Sequence, residues 1–285
     1  MKRNIISLIL IGLFFFNILA WIIVYDLSKD RFLKVSFFNV GQGDAIFIVT
    51  PKRHQILIDG GPNSVILEKL AKEMPFWDRS IDLVILTHAD TDHLNGLIEV
   101  LKKYKVKRIL YSKIIKNTSF YQEWLKLIKK EKAIIFSPQA GQKIKTGKVY
   151  LDIFWPLENL EGKRIKNDNN FSVVAKLNFN QNSFLFTGDI GKLEERKLIE
   201  NGFNIDSDIL KIAHHGGRGS SENEFIEKVS PQFAVISSGK NNRYGHPHQE
   251  VLETLNKYDL IILRTDQQGD IKFISNGKNY AFSHF

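Results

Sequence analysis

The chain has 285 residues, 43% of them hydrophobic and 25% charged, which is the balance of a globular protein and excludes a disordered one. It contains no cysteine. That rules out disulfides and thiolate metal sites, and it suits a domain outside the cytoplasm that folds without oxidative help. The formal net charge is +9, with a pI near 9.4, and a surface of that sign attracts polyanions such as nucleic acid, anionic lipid or a teichoic-type polymer.

Residues 5–25 are apolar except for Ser7 and Asn17. As a helix they span about 30 Å, the depth of a bilayer core. The stretch is longer than that of a cleaved signal, and Ile18-Leu19-Ala20 makes a poor cleavage site. The expectation is an uncleaved membrane anchor over residues 1–29 and a globular domain over 30–285, with secretion after cleavage as the alternative. Lys2 and Arg3 ahead of the span place the short tail inside and the domain outside the membrane.

Beyond the span, short apolar runs alternate with helical periodicity. Segments 34–40, 45–49 and 55–58 read as strands between Gly- and Pro-containing turns, 65–74 as a helix and 82–86 as a buried strand. Leu94, Leu97, Ile98 and Leu101 share one helical face. Strand 108–111, helix 120–130 and strand 133–136 complete the first half. The second half repeats the style, with strands at 149–155, 172–178, 184–186, 209–213 and 233–238 and helices at 193–200, 222–229 and 249–255. Strands 260–264, 271–275 and 280–283 close the chain, with Asn276-Gly277 as a hairpin turn. Two such halves predict two sheets packed together with helices outside, in one compact domain.

The strongest local signal is Thr87-His88-Ala89-Asp90-Thr91-Asp92-His93-Leu94-Asn95-Gly96, which follows an apolar strand and precedes an amphipathic helix. In an extended segment His88 and Asp90 point the same way, whereas Asp92 and His93 diverge at the helix start. One pair is thus placed for one metal and the other pair for a second. Imidazole and carboxylate suit Zn²⁺, Mn²⁺ or Fe²⁺. His-x-Asp-x-Asp-His arises by chance in on the order of one chain in a thousand at ordinary residue usage. Further donors come from other strand ends. Asp189 follows the run ending at Phe186, and its two oxygens can bridge two metals. His214-His215-Gly216-Gly217 and Gly245-His246-Pro247-His248 also follow apolar strands. Gly41-Gln42-Gly43-Asp44 reads as a tight hairpin that carries Asp44 to the same edge.

These motifs resemble the metallo-β-lactamase superfamily. More narrowly, Asn39-Val40-Gly41-Gln42-Gly43-Asp44-Ala45, Leu57-Ile58-Asp59-Gly60-Gly61, Leu210-Lys211-Ile212-Ala213-His214-His215-Gly216 and Gly239-Lys240-Asn241-Asn242-Arg243-Tyr244-Gly245-His246-Pro247 resemble the hydrolase domain of ComEC-type competence proteins. The resemblance covers roughly residues 34–275. It implies an α/β fold, the αβ/βα four-layer sandwich with two central mixed β-sheets, here preceded by one transmembrane helix, with two divalent metal ions, Zn²⁺ or Mn²⁺, at the open edge between the sheets. Carried onto this chain, His88 and Asp90 match ligands of the first metal, Asp92, His93 and His246 those of the second, and Asp189 the bridge. The superfamily usually adds a histidine between the box and the bridge. Here that segment is Asn167-Asp168-Asn169-Asn170, and Asn169 fits the ComEC-like pattern. Asp59 matches a residue that braces the metal loop through hydrogen bonds.

Two divalent cations against Asp90, Asp92, Asp189 and a hydroxide leave a centre near neutrality, able to accept an anionic phosphodiester. The groups expected to take part in the chemistry are Asp92 and His214 or His215. Lys211, Arg218, Lys240 and Arg243 lie close by in sequence and are expected to guide a polyanion. The leading expectation is therefore a phosphodiesterase or nuclease acting on single-stranded DNA outside the cytoplasmic membrane, in the setting of DNA-uptake machinery. The same chemistry on a teichoic phosphodiester, a nucleotide or a lactone is the first alternative, because fold alone does not fix a substrate. A non-catalytic, membrane-tethered DNA-binding module is the second.

Overall fold

The computed structural model describes residues 2–28 and 32–284, and the chain divides into two units, residues 1–31 and 32–285. The first is one helix, α1 (Lys2–Ser28), whose stretch Asn4–Tyr25 is long and apolar enough to cross a membrane. Leu8, Phe16 and Trp21 are all exposed, as on a helix that is apolar all round and takes lipid as its solvent.

In the second unit an eight-stranded and a seven-stranded sheet lie between two layers of helices. In chain order come β1 (Leu33–Phe37), β2 (Ile46–Val49), β3 (Gln55–Ile58), α2 (Val65–Glu73), β4 (Ser80–Ile81), β5 (Leu83–Leu86), α3 (Thr91–Lys103), β6 (Lys105–Val106), β7 (Arg108–Tyr111), α4 (Ser119–Glu131) and β8 (Ile134–Phe136). The second half runs β9 (Lys143–Thr146), β10 (Val149–Trp155), β11 (Val174–Phe179), β12 (Asn182–Phe186), α5 (Lys192–Glu200), β13 (Ile209–Lys211), α6 (Asn223–Val229), β14 (Phe233–Ile236), α7 (Gln249–Asn256), β15 (Ile261–Arg264), α8 (Thr265–Gln268), β16 (Ile271–Ser275) and β17 (Tyr280–His284). The first sheet has the order β17-β16-β1-β2-β3-β5-β7-β8 and the second β15-β14-β13-β12-β11-β10-β9. Each combines an antiparallel part with a parallel block, β3-β5-β7-β8 in one and β12-β13-β14-β15 in the other.

Strand alternation builds the layers. In β5, Leu83 and Ile85 face the core between the sheets, and Val84 and Leu86 face the helices α2, α3 and α4. In β12, Phe184 and Phe186 point to the inner core and Leu185 to the layer of α5, α6 and α7. Phe37 meets Phe186 across the sheets, ring centroids 6.2 Å apart. The C-terminal ends of the parallel strands come out along one rim, the edge at which open α/β sheets bind their ligands.

Most elements fall where periodicity placed them. The short pair β4 and β6, the edge strand β9 and the single turn α8 carry too little apolar pattern to be read in advance. β13 stops at Lys211 rather than 213 because His214 and His215 adopt left-handed backbone (φ 50° and 56°) and turn residues 213–216 into a tight loop.

Candidate metal centre

The rim is built from close backbone approaches that only glycine permits. A Cβ on Gly96, one turn into α3, would lie against the Gly60 carbonyl, and one on Gly43 would strike the Asp92 carbonyl. The start of α3 is thereby pressed onto the ends of β1 and β3, and the Gly60 N–H donates to the His93 carbonyl at 2.8 Å. Asp59 closes β3 with a left-handed backbone (φ 57°), and this turns its carboxylate inward. Its Oδ1 accepts from the Thr87 amide at 2.8 Å, and its Oδ2 accepts from the Thr87 hydroxyl at 2.7 Å and from His93 Nδ1 at 2.8 Å.

These bonds fix the tautomers. His93 gives its Nδ1 proton to Asp59. The Thr87 hydroxyl spends its only proton on Asp59, so at 3.1 Å it can only accept from His88 Nδ1. His215 donates from Nδ1 to the Ser237 carbonyl at 2.9 Å. All three imidazoles therefore turn Nε2 toward the Asp189 carboxylate, held in orientation by the partner on the other nitrogen. The Nε2 atoms of His88, His93 and His215 and Oδ1 of Asp189 are buried without a hydrogen-bond partner, a costly state unless something else binds them.

Asp189 leaves β12 through Gly188 and is anchored by its amide, which donates to Ser172 Oγ at 3.1 Å. Its Oδ2 lies 3.3 Å from His93 Nε2 and 3.3 Å from His215 Nε2, and the latter is also 3.3 Å from Asp92 Oδ2. Donors about 2.1 Å from a tetrahedral cation are about 3.4 Å from one another, so these three spacings suit a divalent ion, and Asp92, His93 and His215, like His88, His93 and Asp189, form a group within ligand distance. Burial opposes ionisation of Asp189, yet His215 and then His93 outweigh it and hold the carboxyl well below its ordinary range. Asp92 is lowered in the same way, by His215 and then His93 against burial. Burial lowers His93 and His215, but Asp189 first, then Asp59 for one ring and Asp44 for the other, lift both well above the ordinary imidazole value. A cation would take the place of those protons.

His88, Asp92, His93 and Asp189 thus converge as expected, and Asp59 braces them. His215, expected to be a reacting group, lies within ligand distance of Asp92 and His93. His246, expected as a ligand, stands outside every donor group within ligand distance among the described residues. It is half-buried beside His248 and His214, with Nδ1 3.5 Å from Gln42 Nε2. Burial and then His215 push its pKa down to about 4. His214, also half-buried, is lowered by burial and then by His215. His246 is therefore an uncharged ring at neutral pH.

Asp90 turns outward, 41% exposed, with Oδ1 on Lys116 Nζ at 2.8 Å. Asn169 lies in a short 3₁₀ turn (Asn169–Phe171), and it is the preceding Asp168 that reaches this side, accepting from Lys116 at 2.7 Å and from the Ala89 amide at 3.3 Å. Lys211 needs correction as a guide for polyanions. It is 1% exposed, its ammonium pairs with Asp44 behind the cluster, and a further bond runs to the Gly188 carbonyl at 3.3 Å. A side chain sealed between two sheets meets no substrate. Arg218, Lys240 and Arg243 are exposed, and Arg243 lies over the Tyr244 ring at 4.8 Å. Lys116 and Gln42 were not singled out from the sequence, where neither stands in a motif that marks a role for its side chain.

The four-layer fold with this rim of imidazoles and carboxylates defines a metal-dependent hydrolase. Residues 38–240 match the metallo-beta-lactamase superfamily, and the chain belongs to it. It is 32% identical to ComE operon protein 3 of Bacillus subtilis (strain 168), over 99% of this chain and 38% of that protein. It is 29% identical to competence protein ComA of Neisseria gonorrhoeae, over 84% of this chain and 32% of that one. The chain thus spans about a third of the length of these relatives. Among solved structures it is similar to the metallo-beta-lactamase fold protein YhfI from Bacillus subtilis (TM-score 0.59, 12% identity, 86% of this chain and 100% of that one). It is also similar to CmlA, a diiron beta-hydroxylase from Streptomyces venezuelae (TM-score 0.55, 12% identity, 90% of this chain and 55% of that one). At that identity the likeness is one of fold.

Proposed function

We propose that the chain is a metal-dependent phosphodiesterase that cleaves DNA, single-stranded DNA first, outside a membrane crossed by residues 4–25. One observation carries the hydrolytic part: donors from three separate segments, Asp92 and His93 at the start of α3, Asp189 after β12 and His215 after β13, approach one another at 3.3 Å, and Nε2 of both histidines is buried without any other partner. Zn²⁺ or Mn²⁺ suits such a set. A divalent ion bound there supplies Lewis acidity and an activated water. The protein does the rest. Asp59 and Ser237 hold the tautomers of His93 and His215, and His88 Nε2, unpaired and buried, faces the centre to accept a proton. His214 and His246 offer neutral N–H groups to phosphoryl oxygens at the mouth, and Arg218, Lys240 and Arg243 draw the backbone of a polyanion across it. The choice of DNA rests on the net charge of +9 and on the relatives named for competence.

The test uses the full chain in detergent micelles with labelled single- and double-stranded DNA, RNA and bis-p-nitrophenyl phosphate, in Mn²⁺ or Zn²⁺. Single-stranded DNA should be degraded and chelation should stop it. His215→Ala should lose at least about a hundredfold in metal affinity and His246→Ala no more than about tenfold. Metal-loaded protein that leaves every nucleic acid intact ends the nuclease reading, and equal losses in the two variants end this assignment of ligands.

Location is tested by the lack of native cysteine. Lys257→Cys, at an exposed position, should react with a membrane-impermeant maleimide on intact expressing cells. Labelling only after lysis would place the domain inside.

A further inference from the structure

On the far side of His88 the donors are spent on a fixed charge. Lys116 Nζ donates to Asp90 Oδ1 at 2.8 Å, to Asp168 Oδ2 at 2.7 Å and to the Ala89 carbonyl at 3.0 Å. An ammonium has three protons, and each has an acceptor here. The side chain is 20% exposed, so the arrangement is not one of a mobile surface lysine. Asp90 is the carboxylate that the sequence pairs with His88, where a second metal would need oxygen donors, and Asp168 precedes Asn169 in the segment expected to face the same side.

The two sides of the centre differ accordingly. Around His215 the donor atoms are 3.3 Å apart. Around His88, Nε2 is 3.9 Å from both Asp90 Oδ2 and Asp189 Oδ2; the donor group there, His88, His93 and Asp189, takes two of its three members from the other side, and among the described residues no donor group within ligand distance contains Asp90. A second dication would have to share Asp90 with the ammonium and sit one carboxylate away from it, like charge against like charge. We propose that this centre binds one divalent ion, through Asp92, His93, Asp189 and His215, and that the Lys116 ammonium stands in the place of the second. The inference rests on the metal-dependent reading above for its one ion.

The experiment is metal stoichiometry on the full chain in detergent micelles, dialysed against Mn²⁺ or Zn²⁺ and analysed by elemental mass spectrometry, with electron paramagnetic resonance of the Mn²⁺ form. The wild type should hold one ion per chain and give an isolated six-line Mn²⁺ signal. Lys116→Gln and Lys116→Ala, which free both carboxylates, should double the stoichiometry and give the broadened spectrum of a coupled pair. Two ions per wild-type chain overturn the proposal without touching the hydrolase reading, and so do folded Lys116 variants, checked by circular dichroism, that remain at one. A wild-type chain that binds no ion overturns the metal-dependent function itself.

Discussion

Asp189→Asn is expected to bring metal affinity and phosphodiester hydrolysis down by about a thousandfold or more, with the fold intact. The side chain keeps its shape, so the effect isolates charge. Oδ2 of Asp189 lies 3.3 Å from both His93 and His215 Nε2, and Oδ1 lies 3.8 Å from Lys211 Nζ. An amide supplies a neutral oxygen at best, and its NH₂ group turns protons toward either the imidazoles or the lysine. Its backbone anchor, the amide bond to Ser172 Oγ, does not change, and neither does Gly188, which at φ 54° packs where a Cβ would meet Ser172. Residues that only brace ligands cost about 10–100-fold when altered, so Asp59→Asn serves as the graded control. Titration calorimetry with Mn²⁺ and turnover of bis-p-nitrophenyl phosphate are the readouts. An Asp189→Asn protein that binds Mn²⁺ as tightly as the wild type would remove this carboxylate from the centre.

Much of the fold was legible because its parallel strands are uninterrupted apolar runs and its helices show a clean periodic face. The segment from Thr87 to Gly96 was legible for the same reason: a strand, a donor loop and a helix follow one another with nothing between. The histidine from the second half that joins the cluster was harder. Two His-rich turns each follow an apolar strand, at His214-His215 and at His246. What separates them is backbone conformation, since left-handed residues at 214 and 215 tuck the second imidazole under Ser237, whereas His246 stays half-buried beside Gln42. No composition signal encodes that difference. Lys116 stands in a loop between β7 and α4 with ordinary lysine-rich surroundings, and only the fold brings it to Asp90. Lys211 did carry a sign that could have been weighed: it sits two residues after Ile209 in a strand buried along its whole length, where a lysine needs a carboxylate partner. Strand β9, Lys-Ile-Lys-Thr, is an edge with alternate exposure, and its lysines make it read as a loop.

Lys211→Met should lower stability by about 3–5 kcal/mol, the loss seen when one partner of a buried ion pair is removed. The side chains of Asp44 and Lys211 are 2% and 0% exposed. Methionine fills the space of the lysine stem but leaves the Asp44 carboxylate in a dry interior, facing His215 Nδ1 at 3.3 Å and His93 Nδ1 at 3.9 Å, whose protons are already committed to Ser237 and Asp59. For a domain of this size the expected fall in Tm is about 10 °C. The sign with pH follows from Asp44. Burial opposes its ionisation, but Lys211 and then His215 hold the folded carboxyl below its ordinary value of 3.8. A depressed carboxyl adds stability that is complete above the unfolded value and disappears as acid carries the pH through the folded one. The deficit of Lys211→Met should therefore be largest at neutral and higher pH and shrink as acid is added, beginning above the ordinary carboxyl value, because burial without the ammonium makes the stranded carboxylate take up a proton more readily. Adding Asp44→Asn to Lys211→Met removes the uncompensated charge and should restore a large part of the loss, a coupling that a double-mutant cycle in thermal or denaturant unfolding reads directly. Losses that simply add, or a Lys211→Met protein as stable as its parent, would mean that this ammonium does not neutralise Asp44.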